Sequence, residues 1–325
     1  MTPSLDIYVE DWAAGYGTPY LMDDEDDDEP SAILVEDGTN LEIHDGVDSD
    51  PSRALAFVDG VRRGEAALYR TDPDGSMHRA IAGAYACGAV LCDGVTVPRI
   101  IESRVQRLVI WEGDEALGLP DVAGGWSWTP RRARATGPDA PLGELQNRMR
   151  EAESILAQDL CRAGHSVVMD GPIYFVGASD HDVMGYVKTH RKPILAPEYR
   201  VRVPEVGVGQ RTSLFTIRGR NRDEKYACYA RIGRRSEDSG PWSGIVRIEF
   251  PLFESMTRVV RLADTMTARL VRYAGVAHRD PRAPQNLQPI GALEKHLRHL
   301  LGDGGLAERA VREAVRIARR GEAIV

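Results

Sequence analysis

HSVVMDGPIYF, residues 165–175, decides how this chain is read. Three apolar residues, Val167, Val168 and Met169, run straight into Asp170 and Gly171. A buried strand has no reason of its own to end on a carboxylate, because an unpaired charge is costly away from water. An earlier stretch, ALAFVDGVRRG (54–64), makes the same move at Asp59-Gly60. Asp-Gly is a common turn pair, and Asp37-Gly38, Asp45-Gly46 and Asp93-Gly94 read as ordinary turns. Two buried strands that each deliver an aspartate at their tip suggest a cation between the tips.

The segment between these strands supports that reading. In LGELQNRMREAESILAQDLCRAG, apolar residues Leu145, Met149, Ala152, Leu156 and Leu160 follow helical spacing, and the helix is expected over about 142–163. At 100° per residue, Leu156 and Leu160 fall about 20° either side of Met149, and Glu153 about 40° from it. Glu151 points the opposite way. A glutamate inside the buried stripe is costly unless paired or bound to metal. Asp59, Glu153 and Asp170 therefore form a candidate catalytic and metal-binding set. Their hard oxygen donors suit Mn²⁺ or Mg²⁺ better than Zn²⁺. Two such ions about 4 Å apart can activate water and stabilise the leaving oxygen of a phosphodiester.

Working outward, RALAFVDG, GEAALYRT, RAIAGAYACGAVLCDG and RVQRLVIWEG read as strands with Gly- and Asp-rich turns. RTSLFTIRG, KYACYARIG and SGIVRIEFP continue a β-rich pattern after residue 180, and helices are expected over about 253–274, 289–301 and 305–320. Antiparallel strands, a helix, a strand ending in aspartate and then mixed structure match the ribonuclease H-like α/β fold. The expected architecture is such a mixed sheet with flanking helices, β-rich additions and a helical C-terminus.

The net charge of −8 hides an asymmetry. Residues 1–50 hold 16 acids and no Lys or Arg, so the remainder carries 33 acids against 41 bases. The acids peak in DDEDDDE (23–29), where seven like charges repel and favour disorder. Residues 1–50 are accordingly expected to form an acidic, partly disordered segment suited to partner docking, and 51–325 the main domain. There is no 18-residue apolar run and no basic-then-apolar leader at the N-terminus. Cys87, Cys92, Cys161 and Cys228 lack metal-ligand spacing. A cytoplasmic protein with reduced thiols is expected.

Further candidates carry basic chemistry. Lys188, His190, Arg191 and Lys192 gather at the end of an apolar strand and suit phosphate contacts. Arg247 shares one face of the strand SGIVRIEFP with Glu249. His278, Arg279 and Arg282 lie in a Pro-rich loop before an amphipathic helix, where His278 suits proton transfer to a leaving group. No Walker or Rossmann glycine loop is present, so nothing points to nucleotide hydrolysis or to a phosphotransferase of related fold.

Taken in order, AFVDG, EAESILAQDL…VVMDGPI, MGYVKTH, WSGIVRIEFP and DPRAPQNLQPIGALEKHLRHLLGD resemble the bacterial branch of the NurA nuclease family over roughly residues 50–320. The resemblance implies a manganese-dependent DNA nuclease, a homodimer, and docking on a hexameric HerA-type ATPase, in DNA end repair or antiviral defence. Under it, Asp59 and Asp170 match the family's strand-end aspartates, Glu153 its helical glutamate and His278 its C-terminal histidine. The acidic run at 23–29 and Arg62 depart from the family pattern. The competing reading is a non-catalytic scaffold or DNA-binding subunit of a translocase complex, against which the intact carboxylates argue.

Overall fold

The computed structural model describes residues 7–9, 32–173, 181–188, 190, 193–218, 224–234, 240–253, 255–276, 278–280 and 283–321. Its strands are β1 (Ile7–Val9), β2 (Ile33–Leu34), β3 (Ile43–Asp45), β4 (Leu55–Thr71), β5 (Met77–Cys92), β6 (Arg99–Trp111), β7 (Thr129–Arg132), β8 (Ser166–Asp170), β9 (Val183–Val187), β10 (Gln210–Thr212), β11 (Phe215–Arg218), β12 (Glu224–Arg231) and β13 (Ile245–Phe250). The helices are α1 (Ala140–Arg162), α2 (Pro197–Arg200), α3 (Met256–Leu270), α4 (Gln288–Leu300) and α5 (Gly304–Arg320).

All thirteen strands join one sheet, whose main path runs β2-β11-β12-β13-β9-β8-β4-β5-β6-β7. β4, β5 and β6 form an antiparallel meander. α1 then returns the chain so that β8 pairs parallel with β4, and β9 parallel with β8. Beyond β9 the pairing is antiparallel through β13, β12 and β11.

Helices cover both faces of the sheet's centre. Leu55, Phe57 and Val61 of β4 pack in one apolar cluster with Val259 of α3 and with Leu293 and Leu297 of α4. Ala56 and Val58 pack on the other face with Leu156 and Leu160 of α1. Strand side chains alternate between faces, so this division assigns residues 55–61 of β4 in turn to the α4 face and the α1 face, while Ala66 and Leu68 further along pack with Val311 of α5. β5 permits the double covering because it is built of small residues. An ideal Cβ on Gly83 would sit 2.8 Å from the Leu145 side chain of α1. One on Gly88 would sit 3.1 and 3.3 Å from Leu297 and Leu293 of α4.

Two expectations change. The stretches RALAFVDG and GEAALYRT are not two strands joined at Asp59-Gly60 but the single 17-residue β4. Gly60 pairs with Cys87 and Gly64 with Gly83, the ladder shifting only between Gly64 and Ala66. With its ladder maintained on both sides, the Asp59-Gly60 pair makes no turn, and Asp59 lies within a strand rather than at its tip. Second, the acidic N-terminal stretch contributes to the main sheet: β2 pairs with β11, β3 with β10 and β1 with β4. Fully buried Arg211 of β10 fastens it, its guanidinium donating to both Glu36 oxygens at 2.7 and 2.8 Å and to Asp264 at 2.7 Å. Residues 23–29 lie outside the described residues. The four cysteines are buried free thiols, and no described helix is long and apolar enough to cross a membrane.

Candidate metal centre

Parallel β4 and β8 stay in register up to the pair Val58–Met169. Asp59 and Asp170 are the next residues on each, and alternation turns both toward the α4 face. Gly88 lies directly across from Asp59 on β5. Because it has no side chain, α4 settles close to the sheet there and brings a third carboxylate, Glu294. Asp59, Asp170 and Glu294 each offer an oxygen, and these oxygens all lie within 4.8 Å of one another.

Asp59 is 7% exposed. Its Oδ1 accepts from the Gly60 amide at 2.8 Å, while Oδ2 is buried and accepts from no donor. Burial, then the charges of Asp170, Glu153 and Glu294, hold its pKa well above the usual carboxylate range, against the opposing pull of Lys188.

Glu153 approaches from the opposite face. It is buried on α1, and burial followed by the Asp170 charge pushes its pKa up to about 8, with Arg150 opposing. Gly60 makes its position possible: an ideal Cβ there would collide with Glu153 Oε1 and stand 2.8 Å from Met149 Cγ. The glycine after Asp59 is thus a gap in the sheet that a glutamate fills, not a turn residue. Gly171, after Asp170, is needed for a different reason: its φ is +100°, in the region that favours glycine, and it is bridged to Tyr186 by backbone bonds of 2.9 Å in both directions. Replacing Gly60 with alanine is expected to keep the strand pairing but to push the side chains of both Glu153 and Met149 aside, at some cost in stability. It should slow any metal-dependent reaction about tenfold to a hundredfold, the usual scale when support of a metal site is disturbed. Unchanged rates in Gly60→Ala, measured alongside its thermal unfolding, would remove Glu153 from the working site.

Lys188 and the loop before α4 complete the surroundings. Lys188 Nζ donates to Asp170 Oδ2 at 2.6 Å and to Asn286 Oδ1 at 2.9 Å. Asn286 Nδ2 donates in turn to Asp280 Oδ2. The Tyr186 hydroxyl donates to the Gln285 carbonyl at 2.6 Å, tying the loop to β9.

The remaining candidates lie elsewhere. His190 is turned inward against Tyr229 and Trp242, with Nε2 donating to the Ile245 carbonyl at 2.9 Å. Its Nε2 is thus occupied by a backbone carbonyl, and burial lowers its pKa. Arg247 is held by Glu249 in a buried ion pair at 2.8 Å, which leaves little of its guanidinium to offer DNA. The tertiary fold covers both faces of β13, where only Arg247 stays half-buried. His278 and Arg279 are exposed in a turn, and His278 does not join the carboxylate group. Arg191, Lys192 and Arg282 lie outside the described residues. The sequence reading missed Glu294, although the argument that singled out Glu153 applies to it. On α4 it falls about 40° from Ile290 and about 60° from Leu297, inside the apolar stripe.

The donor set fits a hard divalent cation: oxygen-only, convergent, and containing one buried oxygen that nothing else satisfies. A second group, Glu36, Asp37 and His44, is equally close but does not fit. Glu36 is engaged by Arg211 and the Leu214 amide, and Asp37 by His44 and Ser213.

The chain matches no protein-family model and no curated protein sequence. Among solved structures it matches the NurA nuclease from Sulfolobus solfataricus at 12% identity and a TM-score of 0.45, over 80% of this chain and 86% of that one. That likeness is too loose to carry a function.

Proposed function

We propose that this chain is a metal-dependent deoxyribonuclease, with Mn²⁺ or Mg²⁺ held by Asp59, Asp170 and Glu294 and with Glu153 supporting them from behind the sheet. One observation carries the reading: Asp59, which has a buried oxygen without a donor, offers an oxygen within 4.8 Å of oxygens of Asp170 and Glu294. Three such groups repel one another in a low-dielectric setting, and a divalent cation turns that cost into binding energy. When bound, the cation supplies Lewis-acid stabilisation of a phosphoryl oxygen and hydroxide near neutral pH. The chain's own residues orient it: β4 and β8 fix the two aspartates, and α4 brings Glu294 beside them.

The topology supports a ribonuclease H-like reading. β4–β6 form an antiparallel meander, α1 crosses over, and β8 adds in parallel beside β4 and β9 in parallel beside β8. DNA as substrate, the homodimer and the HerA-type hexameric ATPase rest on the motif resemblance to the NurA family. The test is direct. Purified protein, alone and with such an ATPase, is incubated with linear DNA and Mn²⁺. Degradation that stops with EDTA and resumes with excess Mn²⁺ is expected. Degradation unaffected by EDTA, or none under either condition, overturns the proposal.

A further inference from the structure

Resting on the metal reading above, we propose that Lys188 fills the second cation place of this site, so that its carboxylates take one divalent ion and one ammonium rather than two divalent ions. Lys188 follows β9, the strand beside β8, and Tyr186, two residues earlier, pairs directly with Asp170. Side chains two apart share a face, so the ammonium comes up on the side of the sheet where the aspartates point. Its seat is built, not incidental. Nζ donates to Asp170 Oδ2 at 2.6 Å and to Asn286 Oδ1 at 2.9 Å. Asn286 is 1% exposed, and its amide is oriented because Nδ2 is committed to Asp280. That bond turns the oxygen, not the nitrogen, toward the lysine.

Charge and space agree. Asp59, Asp170 and Glu294 bring three negative charges to one locus. One divalent ion and one ammonium bring three positive charges. A second divalent ion on Asp170 Oδ2 would meet the ammonium at the same oxygen, where like charges repel most strongly. The loop that carries Asn286 leads directly into the helix that carries Glu294, so one segment delivers both the ammonium's seat and a carboxylate for the ion.

The test counts ions without DNA. The full chain is titrated with Mn²⁺, and free Mn²⁺ is read by electron paramagnetic resonance. One Mn²⁺ per chain is expected for the wild type, one for Lys188→Arg and two for Lys188→Met, whose uncharged side chain leaves the place open. Cleavage by Lys188→Met should fall at least tenfold at low Mn²⁺ and recover as Mn²⁺ is raised. Two ions in the wild type, or one in Lys188→Met, overturns this inference and leaves the metal site standing. No binding in the wild type overturns both. If Lys188→Met fails to melt as a folded protein, the wild-type count decides.

Discussion

Asp59→Asn is expected to lower Mn²⁺-dependent DNA cleavage about a thousandfold, the scale on which loss of one preorganised electrostatic group is felt, while leaving the metal-free protein at least as stable as the wild type. The two effects have one cause. Asp59 is buried, one of its oxygens has no donor, and neighbouring carboxylates raise its pKa further. Its charge opposes folding in the absence of a cation. Asparagine removes the charge, and its new NH₂ group finds acceptors in Asp170 and Glu294, with which Asp59 shares its locus. In the wild type, Mn²⁺ binds the native state and raises the melting temperature by mass action; in the variant that rise should disappear. Thermal unfolding with and without Mn²⁺, run beside a cleavage assay, checks both. A variant that cuts at the wild-type rate, or one that Mn²⁺ still stabilises fully, would show that the cation is held elsewhere.

The second large effect concerns Glu249, which holds the fold together behind the site. It is fully buried on β13, and its carboxylate accepts from Lys225 at 2.6 Å, from Arg247 at 2.8 Å and from the Ile173 amide at 3.1 Å. Glu249→Ala leaves two cations facing each other without their shared anion. Breaking a buried pair in this way costs about 3–5 kcal/mol, a large share of the stability of an ordinary domain. Urea unfolding should show it as a lower midpoint, and a change below about 1 kcal/mol would mean water reaches the pair. The pH dependence has a definite sign. Burial alone would raise the pKa of Glu249, but Lys225 and Arg247 outweigh it and hold it below the usual carboxylate range. Its contribution is therefore present above the unfolded pKa and is lost as pH falls through the folded one. The wild type should lose stability on acidification below the ordinary glutamate pKa, and Glu249→Ala should lose less over the same interval. The damage should also reach the site, because Ile173 lies three residues beyond Asp170.

What the sequence allowed, and what it hid, divides along physical lines. The helices were legible because their apolar period is long and uninterrupted: α1 and α3–α5 lie close to where the stripes of Met149, Val259, Leu293 and Val311 place them. The Asp59 and Asp170 strands were legible from apolar runs ending in carboxylates. β4 was not legible as one strand. Glycine after aspartate ordinarily signals a turn, and only the arrival of Glu153 over Gly60 explains a glycine that is fully paired in a ladder. Face assignment was hidden for a related reason. That Glu153 lies on one side of the sheet, and Asp59 and Asp170 on the other, depends on strand parity and register, which local spacing does not carry. Arg247 and His190 looked available because each sits beside polar neighbours in the sequence, yet Arg247 is taken by Glu249 and His190 is turned in against Tyr229 and Trp242. Glu294 was missed because the helix that carries it was read only as amphipathic, without placing its acidic residue against the apolar stripe.

The placement of Glu294 on α4 also sets an order in biosynthesis. A ribosome delivers the chain from its N-terminus at roughly 5–20 residues per second. β4 with Asp59 and β8 with Asp170 emerge well before Asn286 and Glu294, which follow Asp170 by more than a hundred positions. Until α4 has left the exit tunnel and docked against Gly88, a nascent chain has two mutually repelling aspartates and neither the third carboxylate nor the seat for Lys188. On the proposed reading, an incomplete polypeptide has no assembled centre, and any hydrolytic competence waits for α4 to reach its place beside Asp59 and Asp170.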